Sequence, residues 1–294
     1  MMRTAIVTDS NSGMLPEDAK ENGIFMLNMP VLINGKVYTD NVDITKDFFY
    51  ECLTKNMDIT TSQPTAGDVM DLWDSILKDY DELVYIPMSS GLSGSCQSAM
   101  LYAQNYDGKV KVVNNQRISV TQRQSVLDAK YMADHGASAD EIKETLERTK
   151  FDSSIYIMVD TLKYLKKGGR VTPAGAAIAE LLKVKPVLQI QGEKLDAYAK
   201  VRGIKAAKKT IIRTIRDGIE QNIGPVNPDQ PNAWIGMAYT HNLDAGLEFR
   251  DQLQAEFPNY DIRMDELPLS IAVHIGPGSV AATWTKILPE GRQY

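Results

Sequence analysis

Residues 82–104, ELVYIPMSSGLSGSCQSAMLYAQ, carry the fold decision. The apolar run Leu83–Ile86 reads as a buried strand, and it opens into a loop of serines and glycines that leads straight into a helix. Strand, glycine-serine loop and helix in that order are one half of a βαβ unit. Working outward, the same alternation recurs. TAIVTDS (4–10) is a short strand ending in polar turn formers, and KVKVV (109–113) is another strand. VTQRQSVLDAKYMADHG (120–136) reads as an amphipathic helix stopped by Gly136, and Ser138 with Glu141 has capping-box spacing for a further helix. These elements predict a mostly parallel sheet covered by helices.

Two inserts break the pattern. Asn34-Gly35 lies between the β-rich runs FMLNMPVLI and KVYT, which is a hairpin signal near residues 30–40. ITTSQPTAGDVMDLWDSIL reads as a polar loop at Thr60–Gln63, with a helix restarting after Pro64 on Val69, Leu72, Trp73 and Ile76.

From about residue 155 a second α/β domain is expected, so that residues 1–154 form one domain and 155–294 the other. Its predicted parts are a strand SSIYIMV, a short helix LKYLKK capped by Gly168-Gly169, a small-residue helix over 172–184, and two strands flanking a Gln191-Gly192 turn. A long basic helix from Ile204, a strand AWIGMAY, a helix LDAGLEFRDQLQAEF and a strand DIRMDELPLS follow. HIGPGSVAATWTK is expected to be a glycine loop running into a helix.

Composition bounds the function. The 294 residues are 43% hydrophobic and 24% charged with a net charge of −6, so the chain can build a real core and lacks the basic field that nucleic acid requires. No stretch approaches the ~20 apolar residues of a membrane span, and the N-terminal run is too short for a signal core. The two cysteines, Cys52 and Cys96, form no CxxC pair and suit a reducing, cytoplasmic location. GxGxxG and GxxxxGK[ST] are absent, so those nucleotide sites are not expected. Asp9, Asp40 and Asp43 do not compose a metal cluster and are expected to be ordinary surface carboxylates. No cofactor or metal is called for.

The candidate site residues are hydroxyls, glycines and cations. Thr61 and Ser62 sit just before a helix, where hydroxyls and helix N-terminal N–H groups together bind anions; the same residues also suit a plain N-cap. In Ser89–Ser95 the glycines let N–H groups approach a ligand at a strand's carboxyl end, which makes Ser93, Gly94 and Ser95 candidates. GLSGS nearly matches G-x-S-x-G, so a serine hydrolase or acyltransferase using Ser93 and His274 stays open; position 95 is Ser instead of Gly, and no triad is evident. Arg170 in KKGGR and Arg202 in AKVRG could each grip an anion, and a solvated helix end explains the first equally well. The HIGPG loop at 274–278 could line a ligand as well.

The set IVTDSNSGML, TTSQPTAGD, SSGLSGSCQSA, DTLKYLKKGGR, KPVL and HIGPG, in order from residue 4 to about 281, resembles the DegV family of bacterial fatty-acid-binding proteins. The resemblance implies two α/β domains with a long-chain fatty acid, such as palmitate, held between them. It implies that Thr61 and Ser93 bind the carboxylate and that Arg202 and His274 belong to the head-group region. It also implies a carrier that is not itself an enzyme and that presents the acyl group to a separate fatty acid kinase; a lipid-sensing module without a kinase partner is the remaining alternative. This chain departs from the family at Asn11-Ser12-Gly13 and at Ser279–Ala282.

Overall fold

The computed structural model describes residues 2–40, 42–177, 184–290 and 292. It divides into two compact units, residues 1–150 with 268–270, and residues 151–267 with 271–294.

The first unit is built on β1 (Thr4–Asp9). Helix α1 (Pro16–Glu21) leads to β2 (Ile24–Leu27). The antiparallel hairpin β3 (Pro30–Ile33) and β4 (Lys36–Thr39) follows, and α2 (Lys46–Thr54) joins it to β5 (Ile59–Thr61). Helix α3 (Ala66–Ile76), β6 (Glu82–Ile86), α4 (Ser95–Ala103), β7 (Val110–Val112), α5 (Ser119–Asp134) and α6 (Ala139–Arg148) complete it. Its main sheet is parallel throughout, in the order β2-β1-β6-β7. Fully buried β6 explains the unbroken apolar run that reads as a strand. Val69, Trp73 and Ile76 of α3 lie at helical spacing and pack with Val7, Leu83 and Tyr85 in one core. The predicted hairpin is present: Asn34 and Gly35 have φ of 49° and 80°, the two left-handed residues that a tight type I′ turn requires.

Two expectations for this unit need correction. Residues 59–61 are strand β5, antiparallel to β3, with Thr61 opposite Val31. The polar sequence concealed it, because a three-residue strand in a small side sheet has no room for periodicity. Helix α5 is buried along most of its length instead of half-exposed, and Gln122, Arg123, Ser125 and Asp128 are all among its buried residues. Hydrogen bonds replace water there: Gln122 Nε2 donates to Thr8 Oγ1, Asp9 Oδ1 and the Ile86 carbonyl at 3.2, 3.0 and 3.1 Å.

The second unit begins with β8 (Ser153–Met158), α7 (Lys163–Gly168) and α8 (Pro173–Ala177). The rest of the small-residue helix expected over 172–184 falls at 178–183, outside the described residues. Strands β9 (Val184–Ile190) and β10 (Asp196–Arg202) flank the expected turn, and α9 (Ile204–Asn222) follows. Then come β11 (Ala233–Tyr239), α10 (Leu243–Glu256), β12 (Ile262–Glu266), α11 (Leu269–Ile275), whose first two residues belong to the first unit, and β13 (Val280–Lys286). The sheet order is β10-β9-β8-β13-β11-β12, and only the β11–β12 pair is parallel. Ile211, Ile215 and Ile219 of α9 and Phe249 and Leu253 of α10 are fully buried with Trp284 of β13 in its core.

Residues 280–286 were expected as a helix and form the strand between β8 and β11. Ala281 and Ala282 favour a helix, but Val280, Thr283, Trp284 and Thr285 are strand formers, and burial on both faces removes the alternation that would have marked the strand. The helix at this end is instead α11, which takes up the end of the strand expected over 261–270.

Candidate functional site

In the first unit the two hydroxyl-bearing segments lie side by side. Thr61 ends β5, half-buried; Ser62 follows, exposed, and its N–H donates to the Pro30 carbonyl at 3.4 Å. The next helix, α3, has its N-cap at Thr65, which with Asp68 forms a reciprocal capping box. The helix they approach is α4: the Ser98 hydroxyl of α4 donates to Gln63 Oε1 at 3.2 Å, and a Cβ placed on Gly94 would lie 3.4 Å from the same Gln63 oxygen.

The loop before α4 is a tight turn. Leu92 and Ser93 N–H groups donate to the Ser89 carbonyl at 3.0 and 3.1 Å, and Ser93 Oγ accepts from Ser95 N–H at 3.2 Å. Ser93 is half-buried and Gly94 exposed. Helices α2, α3 and α6 each have a side-chain N-cap, whereas Gly94 gives α4 none. The hydroxyl of Ser95, at the first position of α4, is buried and has no hydrogen-bond partner among the described residues. A helix N-terminus with unspent donors attracts an anion.

Ser93 does not resemble the serine of a nucleophile elbow, which sits in a strained turn. It is not among the described residues with positive φ, and Gly94 after it is helical, at φ −71° and ψ −7°.

The root of this loop is held by Asp9, which sequence reasoning placed on the surface. Asp9 is fully buried at the end of β1. Its Oδ2 accepts from Met88 N–H at 2.9 Å, while Oδ1 accepts from Asn11 N–H and Gln122 Nε2, both at 3.0 Å. Burial pushes its pKa above the ordinary carboxylate range, against those hydrogen bonds. Asp40 is likewise buried, and its Oδ2 accepts from Leu269 N–H at 2.8 Å. The sequence signal available for Asp9 was its place, at the carboxyl end of a strand whose run Ala5–Val7 is apolar.

In the second unit the KKGGR and HIGPG segments meet. Lys166 and Lys167 lie in the last turn of α7, which ends on Gly169 at φ 67°. An added Cβ on Gly168 would overlap the His274 imidazole, and one on Gly276 would overlap the Tyr164 ring. Only glycine permits both approaches. Arg170 Nη1 donates to the Gly168 carbonyl. Burial, and secondarily the Arg170 charge, push the His274 pKa down to about 4. His274 is half-buried, Arg170 half-buried, and Arg202 exposed at the end of β10. His241 and His135 are both exposed.

Among the described residues no group of three or more His, Cys, Asp or Glu could hold a metal ion. No helix of the described residues is long and apolar enough to cross a membrane.

Similarity to known proteins runs the length of the chain. The model of the DegV family, described as uncharacterised, matches residues 3–286. A DegV domain-containing protein of Deinococcus radiodurans is 31% identical over 283 residues, 95% of this chain and 97% of its own. Another, from Caldanaerobacter subterraneus, is 34% identical over 236 residues, 78% of this chain and 84% of its own. The solved structure of a DegV family protein from Thermus thermophilus, described for its fatty acid binding, matches with a TM-score of 0.88 at 30% identity, over 97% of this chain and 100% of its own. DegV from Bacillus subtilis, described as a fatty acid binding protein, matches at 0.85 and 26%, over 98% and 100%. Order of motifs, fold and full-length similarity agree, and the chain belongs to the DegV family.

Proposed function

We propose that this chain binds a long-chain fatty acid and holds its carboxylate with the hydroxyls of Thr61 and Ser93, assisted by Ser62, Gly94 and Ser95. The observation that carries the reading is the state of the α4 N-terminus: no side-chain cap at Gly94, and a buried Ser95 hydroxyl with no partner among the described residues. Burying such a donor costs about 1–3 kcal/mol unless something accepts from it, and a carboxylate oxygen would. The Thermus and Bacillus relatives, described as fatty acid binding, support the ligand class.

Energetics divide the work. A buried acyl chain contributes about 0.8 kcal/mol per CH₂, so the tail supplies most of the affinity. The head group must keep its hydrogen bonds, because an ionised carboxylate buried without donors is prohibitive. Hydroxyls and N–H groups bind the anion without consuming it, which suits a carrier. We further propose that the bound acid is presented to a fatty acid kinase, which supplies ATP and forms the acyl phosphate.

Native mass spectrometry of protein purified from bacteria, followed by lipid extraction, tests the first proposal. A bound fatty acid at one per chain is expected, and protein that neither arrives with lipid nor takes up labelled palmitate overturns it. Kinase, ATP and palmitate with and without this protein test the second: acyl phosphate that forms equally in its absence overturns the presenting role. Stoichiometric labelling of Ser93 by a fluorophosphonate would favour a serine enzyme instead.

A further inference from the structure

Thr240 follows β11 directly and is fully buried. Each of its hydrogen-bonding groups reaches one short segment, residues 276–279. Its N–H donates to the Ser279 carbonyl at 3.1 Å, and its carbonyl accepts from Gly278 N–H at 3.0 Å. Its hydroxyl donates to the Gly276 carbonyl at 2.7 Å and accepts from Ser279 N–H at 2.9 Å.

Beyond Thr240, the Gly276 N–H donates to the Ala272 carbonyl at 2.8 Å and Val280, next in the chain, pairs with Tyr239 and Met158; side chains of the segment add little. Gly276 and Gly278 carry no side chain and sit at φ 80° and 76°, and Pro277 has no N–H. The Ser279 hydroxyl has no partner among the described residues. On the α7 side the approach is close: Gly168 lies against the imidazole of His274, and Tyr164 against Gly276. Among the described residues, charged groups near this corner include Arg170, beside His274; Asp160, whose Cβ lies near Gly278 and whose carboxylate pairs with Lys185 at 2.6 Å; and Lys163, whose ammonium lies 5.4 Å from the centre of the Tyr164 ring.

We propose that Thr240 is the positioning residue of the His274 corner: its hydroxyl fixes the Gly276–Ser279 turn and thereby seats the imidazole at the end of α11 against Gly168. Loss of the hydroxyl frees the turn, lets water reach the ring, and spoils its orientation toward a ligand. The ligand part of this inference rests on the reading of the chain as a fatty-acid carrier.

Full-length Thr240→Val, which keeps the β-branched shape and removes the hydroxyl, tests it beside Thr240→Ser, which keeps the hydroxyl. Thr285→Val is the control, because Thr285 is a buried threonine of β13 whose hydroxyl bonds Ser153 at 2.9 Å. The His274 ring is titrated by NMR, and palmitate affinity is measured. Thr240→Val is expected to raise the His274 midpoint by about one unit or more toward the ordinary imidazole value. It is also expected to weaken palmitate binding about fivefold, the cost of a neutral hydrogen bond. Thr240→Ser is expected to restore both, and Thr285→Val to move neither. If Thr240→Val does not fold, Thr240→Ala takes its place. An unchanged midpoint in the variant lacking the hydroxyl, or an equal shift in Thr285→Val, overturns the proposal. Wild-type protein that binds no palmitate overturns the carrier reading, and the His274 midpoint still decides the role of Thr240.

Discussion

The Ser98 hydroxyl donates to the Gln63 side-chain carbonyl at 3.2 Å, and this bond fastens the segment bearing Thr61 to the helix that begins beyond Ser93. Two stretches that are about thirty residues apart in the chain are thereby presented together. Gln63→Leu is expected to weaken palmitate binding about three- to tenfold without removing a head-group donor, the scale of one hydrogen bond. A double-mutant cycle with Ser98→Ala checks it: fully additive losses would mean the bond does not couple the segments.

Thr61→Val and Ser93→Ala are each expected to lower palmitate affinity by about tenfold, with thermal stability little changed, because on the proposed reading each removes a bond to a charged group from a half-buried site. Titration of a labelled fatty acid measures this. Undiminished binding by the double variant would remove both residues from the site.

Asp9 is expected to matter for stability ahead of binding. Asp9→Ala strands the buried Met88 and Asn11 N–H groups, at a cost of about 2–3 kcal/mol. The first unit's urea midpoint should fall accordingly, and a midpoint equal to wild type would contradict the anchoring role.

The folded-state pKa of His274 is about 4, below its ordinary value of 6.5. In that interval the unfolded chain takes up a proton that the folded chain refuses, so stability is full above about pH 6.5 and falls as pH drops toward about 4, by about 2 kcal/mol in all. His274→Gln should flatten this dependence in urea midpoints measured from pH 7 to pH 4. The same slope in the variant would place the titration elsewhere.

Cys96 is buried, and burial raises its thiol pKa to about 12. At pH 8 the thiolate is nearly absent, so Ellman's reagent is expected to leave Cys96 unmodified in native protein and to react promptly in urea. Labelling of the native thiol within minutes would show an opening that the fold does not provide.

The parts of the molecule that read directly from sequence are those governed by local rules. Asn34-Gly35 demanded a turn, Ser138 and Glu141 a capped helix, and Gly169 a helix end, and all three are present. Tertiary burial decided the rest. Residues 280–286 lost their alternation because both faces are covered, and β5 was too short to show any. At the candidate site, Ser93 and Thr61 could be named from residue types and family motifs. Their adjacency through Gln63 and Ser98 depends on a pairing of β5 with β3 that no local pattern encodes. Sequence reasoning places Asp9 on the surface and passes over Thr240 for the same reason: each looks like an ordinary turn residue until the loop it holds is known.

The place of β13 has a consequence for the order in which the second unit forms. Met158 of β8 pairs with Val280, and Tyr239 of β11 pairs with the same residue from the other side. During synthesis β8 leaves the ribosome early, but the strand that joins it to β11 emerges only after α9, α10 and α11. Until then the growing chain carries two half-sheets with open inner edges, each a template for mispairing. Closing that long loop costs chain entropy before the pairing repays it, and sheets of such non-local pairs are in general slow to form.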